Sequence, residues 1–312
     1  MVVDTILFGD CRETLKEFDG KARTCVTSPP YYGLRDYGGE ESQIGQEQTP
    51  EEYIQNLVEV FRSVRDVLTD DGTLWVNIGD SYYNYRPGKG QALPKQTVSK
   101  TKQDLPDECA KRGNKLEGLK EKDLIGIPWM LAFALRADGW YLRQDIIWHK
   151  PNPMPESVKD RCTKSHEYIF LLSKNRKYYY NNEAIKEPVK QDWGTRDRTK
   201  GKYHNPGTGL VPHSGLSKSY DRKNKRDVWT VTNKPYKGAH FAVYPPDLIE
   251  PCIKAGSEEG DIVLDPFMGS GTTALVSKSL NRHYIGCELH EDYGRLIQKR
   301  LSEKSFARLK LE

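Results

Sequence analysis

The sequence predicts an α/β fold, a parallel sheet with crossover helices. Three observations predict it. Strand, strand, helix and strand follow one another within residues 4–80. Strand, glycine-rich turn, helix and strand follow within 261–289. Aliphatic runs such as Ile262-Val263-Leu264 and Tyr168-Ile169-Phe170-Leu171-Leu172 are enough for a real core, and 312 residues suffice for one large domain with insertions or for two small ones.

The elements follow in order. DTILFGD, Asp4 to Asp10, reads as a short buried strand ending in a Gly-Asp turn. ARTCVTSPP, Ala22 to Pro30, is a second strand. A helix starts at Thr49 as N-cap, with Pro50 at N1 and Glu52 at N3. Its apolar stripe is Tyr53, Leu57, Val60, Phe61, Val64 and Leu68. DDGTLWVNIGD, Asp70 to Asp80, is a turn and a third strand. Residues 84–122 carry 10 Lys/Arg against 5 Asp/Glu with little periodicity, and a mobile surface insertion is expected there. Ile127 to Trp140 is a helix. Tyr141 to Lys150 and His166 to Asn181 are strands, expected as a hairpin at one sheet edge. DIVLDPFMGSGTTALVSKSL is strand, turn and helix, RHYIGCEL a further strand, and a helix closes the chain.

Composition narrows the function classes. No stretch approaches 18 apolar residues and the N-terminus does not read as a signal peptide, so a soluble, cytoplasmic protein is expected. Six cysteines without a CxxC pair fit reduced thiols rather than a disulfide framework. The net charge of +4 is unevenly spread: residues 186–240 hold 13 Lys/Arg against 5 Asp/Glu, a balance of +8 that leaves −4 elsewhere. That segment also carries Trp193, Tyr203, Tyr220, Trp229 and Tyr236. Basic residues interleaved with aromatics suit nucleic acid, a polyanion with rings to stack on.

Two motifs carry chemistry. In TSPPYY, Thr27 to Tyr32, neither proline can donate a ladder hydrogen bond, and each stiffens the backbone beside it. The chain leaves a strand on a rigid support that presents Ser28 and Tyr31. The second motif, Asp265-Pro266-Phe267-Met268-Gly269-Ser270-Gly271-Thr272-Thr273-Ala274, matches G-x-G-x-x-A between strand and helix. Its glycines permit a tight turn and close backbone approach, and a helix N-terminus favours negative charge. Glu288 ends the next strand, 17 residues after Gly271, where a carboxylate can accept from ribose hydroxyls. An adenosine-type cofactor follows. No Lys follows the glycines, which argues against a kinase-type loop; a nicotinamide dinucleotide stays open on this motif alone.

Together, S-P-P-Y after one strand and D-P-F-x-G-S-G-T after another resemble the S-adenosylmethionine-dependent amino-methyltransferases of DNA. Their order here resembles the beta group, a circularly permuted family with its target recognition region between the motifs. The resemblance implies a doubly wound, seven-stranded, mostly parallel Rossmann-like sheet with one antiparallel strand and a basic target-recognition insertion. It implies one methyltransferase domain in two parts, 1–185 with the catalytic motif and 241–312 with the cofactor motif, separated by the recognition region 186–240. It places S-adenosylmethionine on Asp265, Pro266, Phe267, Gly269, Ser270, Gly271, Thr272 and Thr273, with Glu288 on the ribose and Asp10 bordering the adenine. HFAVYPPDLIEPCI resembles the segment beside the methionine moiety, which adds His240, Phe241 and Pro245. Ser28, Pro29, Pro30 and Tyr31 become the catalytic set. Arg196, Arg198, Lys202, Arg222, Lys223, Lys225 and Arg226 are expected on DNA.

The chemistry this implies is specific. An exocyclic amine on a base is a poor nucleophile because its lone pair is delocalised into the ring. Hydrogen bonds to the Ser28 hydroxyl and the Pro29 carbonyl would localise that pair and aim it at the sulfonium methyl. Tyr31 would stack on the base, flipped out of duplex DNA. No free base stands in the motif, so proton loss is expected to follow methyl transfer. In the family, Ser at this first position goes mostly with cytosine N4 and Asp or Asn with adenine N6, so N4-methylcytosine is expected; adenine N6, or an RNA or protein amide nitrogen, are the alternatives. Double-stranded DNA is the implied partner, with no membrane and no metal; the group admits homodimers and a cognate restriction endonuclease acting separately. Cys252 and His149 read as structural, and Tyr178-Tyr179-Tyr180 as strand packing. His166-Glu167 fails as a zinc motif because Phe170 takes the second His position. Gly33 to Tyr37 reads equally as a lid over the base or an ordinary loop.

Overall fold

The computed structural model describes residues 2–33, 43–83, 116–189, 221–233 and 244–302. The main sheet is built from β1 (Thr5–Phe8), β2 (Ala22–Thr27), β3 (Leu68–Ile78), β4 (Tyr141–His149), β5 (His166–Ser173), β8 (Val228–Thr230), β9 (Ile262–Asp265) and β10 (His283–Glu288). Two short strands, β6 (Glu187–Pro188) and β7 (Arg222–Lys223), pair with each other. The helices are α1 (Cys11–Thr14), α2 (Pro50–Val67), α3 (Ile127–Ala137), α4 (Asn182–Ile185), α5 (Pro246–Gly256), α6 (Thr272–Ser279) and α7 (Asp292–Ser302).

The main sheet runs in the order β1-β10-β9-β2-β3-β5-β4-β8. Every pairing is parallel except the two made by β5, so β5 alone is reversed. The seven expected strands are all present. The eighth, β8, arises inside the basic segment and pairs with β4, so the β4–β5 hairpin is not the edge. His149 and Trp148 fasten it: His149 Nδ1 lies 3.1 Å from Thr230 Oγ1, and the Trp148 indole N–H donates to the Val231 carbonyl at 2.9 Å. The first strand pairs with the last, Thr5 opposite Ile285 through Phe8 opposite Glu288, which is the geometry a permuted chain needs.

Local chemistry explains the elements. Thr49 Oγ1 accepts from the Glu52 N–H and the Glu52 carboxylate accepts from the Thr49 N–H, both at 3.2 Å, closing the capping box that starts α2. Tyr53, Leu57, Val60, Phe61 and Val64 are buried against the sheet as the stripe requires. Leu68 already belongs to β3, and the expected turn is a kink within that strand at Gly72. A Cβ there would meet the Thr69 carbonyl at 2.9 Å, so only glycine lets the chain bend. One apolar layer packs α1, α2 and α3 on one face, and another packs α5 and Val276 of α6 on the opposite face. Cys252 is buried in the second layer, as core packing requires. Tyr178, Tyr179 and Tyr180 follow β5 rather than lie in a strand; Tyr180 stacks on Trp75, while Arg143 and Arg23 sit over Tyr178 and Tyr179. Among the described residues no helix is long and apolar enough to cross a membrane.

Candidate active site

From β9 the chain winds through α6 to β10 on one side, and from β2 through α2 to β3 on the other. Neighbours β9 and β2 are therefore the point where winding reverses, and in doubly wound sheets ligands bind beyond the carboxyl ends of such strands. A cavity of about 530 Å³ opens there. One part is walled by Gly9, Asp10, Pro266, Phe267, Met268, Gly269, Ser270, Thr272, Glu288, His290 and Tyr293. The other is walled by Ser28, Pro29, Pro30, Tyr31, Asn77, Trp148, Lys150 and Glu167.

The glycine turn is held from below. Gly269 and Gly271 take φ of 53° and 78°, and a Cβ on Gly271 would come within 2.8 Å of Ile297. Asp265 is 1 % exposed and its carboxylate is consumed inside the protein. It accepts from Thr27 Oγ1 and Thr273 Oγ1 at 2.6 Å each, from the Phe267 N–H at 3.0 Å and from the Tyr244 hydroxyl at 3.1 Å. Burial pushes its carboxyl upward and these four donors oppose the rise. Asp265 thereby ties β2, β9 and α6 together beneath the cavity. Arg300 of α7 clamps the turn from outside, donating to Ser270 Oγ at 2.8 Å and Thr272 Oγ1 at 2.9 Å.

Glu288 is 8 % exposed, accepts from the Gly269 N–H at 2.8 Å and from the His290 N–H at 3.1 Å, and burial pushes its carboxyl up to about 7. Its oxygens keep lone pairs for further donors. His290 Nε2 is buried with no partner among the described residues. A carboxylate with spare acceptors and an orphaned ring nitrogen, above a glycine turn, fit an adenosine with its ribose hydroxyls. Asp10 also lines the cavity, but its carboxylate already caps α1 and binds Arg12. Burial raises the Asp10 carboxyl, and the Arg12 contacts outweigh it and hold it below the usual range.

At the ledge after β2 the two proline carbonyls differ. The Tyr53 hydroxyl donates to the Pro30 carbonyl at 2.8 Å, whereas no described residue donates to that of Pro29. Gly45 packs against Pro30, with a Cβ on it only 3.4 Å from the Pro30 ring, so the ledge is backed by α2 and by the chain before it. The Tyr31 hydroxyl donates to Glu167 Oε2 at 2.7 Å, and Asn77 Nδ2 donates to the same oxygen at 3.3 Å. Lys150 is ion-paired with Glu167 Oε1 and lies 4.2 Å over the Trp148 ring.

A family model described as DNA methylase matches residues 22–299. The chain belongs to the N6/N4 DNA methylases. It is 47 % identical to the Type II methyltransferase M.SmaI of Serratia marcescens over 302 residues, covering 95 % of this chain and 90 % of that one. It is equally 47 % identical to M.Cfr9I of Citrobacter freundii over 298 residues, covering 95 % and 87 %. In fold it is similar to the PvuII DNA methyltransferase, a cytosine-N4-specific protein, with TM-score 0.61, 16 % identity and coverage of 100 % and 90 %. It is also similar to a putative DNA modification methylase of Thermus thermophilus complexed with S-adenosyl-L-methionine, with TM-score 0.59, 22 % identity and coverage of 96 % and 93 %. The methyl donor of this DNA methylase family is S-adenosylmethionine.

Of the residues expected from the sequence of this methylase, Ser28, Pro29, Pro30, Tyr31, Asp10, Pro266, Phe267, Gly269, Ser270, Thr272 and Glu288 line one cavity. Four expected cofactor residues do not. Asp265 and Thr273 turn inward to bond each other, Gly271 backs onto Ile297, and Pro245 caps α5 while its neighbour Tyr244 reaches the wall. His240, Phe241, Arg196, Arg198 and Lys202 lie outside the described residues, as do 34–37 of the expected lid and 84–115 of the expected insertion. Among the expected DNA residues, Arg226 is taken up by Glu187, its guanidinium donating at 2.9 Å and 3.1 Å. Arg222 donates to the Lys186 carbonyl at 2.7 Å, Lys225 lies 4.9 Å over Trp229, and Lys223 stays half-exposed. Sequence reasoning missed Glu167, Lys150, Asn77, Tyr244 and His290. A charged pair heading one strand and closing another, in His149-Lys150 and His166-Glu167, was the signal for two of them.

Proposed function

We propose that this DNA methylase transfers a methyl group to N4 of a cytosine flipped out of duplex DNA. What supports the reading is the ledge: Ser28 and the Pro29 carbonyl stand together on the cavity wall, with the Pro30 carbonyl already occupied by Tyr53. Bound S-adenosylmethionine supplies a methyl on positively charged sulfur, and Gly269, Ser270, Glu288 and His290 would hold it. Ser28 Oγ and the Pro29 oxygen accept from the two N–H groups of the substrate amine. Accepting both draws the nitrogen toward a tetrahedral shape, which frees its lone pair and favours the transition state over the ground state. Prolines on both sides fix the carbonyl before substrate arrives, so orientation is already provided for. Tyr31, fixed by Glu167, presents its ring to the flipped base.

The choice of cytosine over adenine rests on Ser28. Duplex DNA incubated with the protein and labelled donor, then digested to nucleosides, should yield labelled N4-methylcytosine. Label only in N6-methyladenine would overturn the choice of base, and no label in either nucleoside would overturn the reaction.

We further propose that the segment 186–240, inserted between the ledge half and the cofactor half, recognises the target. Its described end returns to the catalytic sheet through β8.

A further inference from the structure

The methylated amine must lose a proton, and no residue of the ledge is a good acceptor for it. Glu167 comes to the ledge from β5, 136 residues away in the sequence. Its Oε2 accepts from the Tyr31 hydroxyl at 2.7 Å, its Oε1 is held by Lys150, and Asn77 fixes it from β3. Ser28 lines the same wall beside Tyr31, with its hydroxyl placed as a donor toward the Tyr31 oxygen, against the upward push that burial gives this phenol. Donors and acceptors therefore point one way: amine to Ser28, Ser28 to Tyr31, Tyr31 to Glu167. The edge of the Tyr31 ring lies against Gly79, just after β3, where a Cβ would come within 2.8 Å of it.

We propose that Glu167 is the terminal acceptor of the proton released from the amine, delivered through the hydroxyls of Ser28 and Tyr31. This rests on the exocyclic-amine chemistry proposed above. The N–CH₃ bond forms as the bond from methyl to the donor's sulfur breaks, its electron pair staying on sulfur. One amine N–H bond then gives its pair to nitrogen. Its proton passes to Ser28 Oγ, the Ser28 proton to the Tyr31 oxygen, and the Tyr31 proton to Glu167 Oε2. The products are a neutral methylamine, a sulfide and a carboxylic acid. A base-linked aminium is a strong acid because losing the proton restores conjugation with the ring, so a carboxylate is a sufficient acceptor.

The test compares wild type with Tyr31→Phe, which keeps the ring and removes the relay hydroxyl, with Glu167→Gln, which keeps an acceptor for the phenol but takes up no proton, and with Lys150→Met, which breaks the ion pair and leaves the carboxylate. Single-turnover methyl transfer is followed in water and heavy water. Tyr31→Phe and Glu167→Gln should each slow the reaction by about a hundredfold and lose the heavy-water slowing of the wild type, while Lys150→Met slows it by less than about tenfold. Without donor, duplex carrying 2-aminopurine at the target position should brighten equally with all four proteins. Wild-type rate in Tyr31→Phe or Glu167→Gln overturns the relay. So does equal slowing in Lys150→Met and Glu167→Gln, or loss of the brightening in the slow variants, since either makes the cluster a scaffold. A wild type that methylates no exocyclic amine defeats the proposed function instead.

Discussion

Glu288 and Asp265 are carboxylates that flank one glycine turn in space, and their surroundings give them different work. Burial pushes Glu288 up to about 7 against the His290 and Gly269 N–H groups. Its folded value stands above its ordinary one, so the folded protein holds this proton more tightly than the unfolded chain. Glu288 therefore costs stability progressively as pH rises from about 4.5 to about 7, and Glu288→Gln removes that slope from urea unfolding curves. Ribose hydroxyls donate to the ionised form, so cofactor binding should tighten about tenfold between about pH 6 and pH 8 in calorimetry and stay flat in Glu288→Gln. Asp265 has no lone pairs free for a ligand after its four donors. Asp265→Ala should lower unfolding free energy by about 3 kcal/mol in urea titrations, because buried hydroxyls lose their partner. A loss under about 1 kcal/mol would mean that the network does not hold the sheet together.

At the scale of elements, legibility followed how local the cause is. The start of α2 was readable because Thr49, Pro50 and Glu52 lie within four residues and the stripe behind them repeats at helical spacing. Thr49→Ala should cost about 1 kcal/mol by thermal unfolding, the worth of such a cap. Asp70-Asp71-Gly72 reads as a turn because that is turn composition, and the structure makes it an irregularity inside β3, where the pairing with β2 jumps from Leu68 to Thr73. Strand β8 was invisible because Val228, Trp229 and Thr230 are too few to show a period and are flanked by charge; Trp229, buried against α5, holds it in place. For the basic segment the structure sharpens the expectation. Arg226 pairs with Glu187 across β6 and β7, so Arg226→Gln should disturb that ribbon as well as DNA binding. Neutralising Arg222, Lys223 and Lys225 should flatten the salt dependence of DNA binding by up to about three phosphate contacts; an unchanged slope would mean that this face does not touch phosphate.

At the scale of the whole molecule, the first strand lies beside the last and the sheet reverses its winding between β2 and β9, so two motifs more than 230 residues apart share one cavity. Each motif was legible alone because its rule is local: prolines stiffen a strand end, and glycines allow a turn. Their meeting was legible only through family resemblance. The convergence of Glu167, Lys150 and Asn77 was not, because β5, the end of β4 and β3 bring them to the ledge, and the charged pairs His149-Lys150 and His166-Glu167 do not show in the sequence that they meet there. The proposed methyl transfer turns on the ledge holding the substrate amine. A crystal structure with duplex DNA and a non-reactive cofactor analogue measures this directly. The target nitrogen should lie within about 3.2 Å of both Ser28 Oγ and the Pro29 oxygen. A nitrogen beyond about 4 Å from both would contradict it.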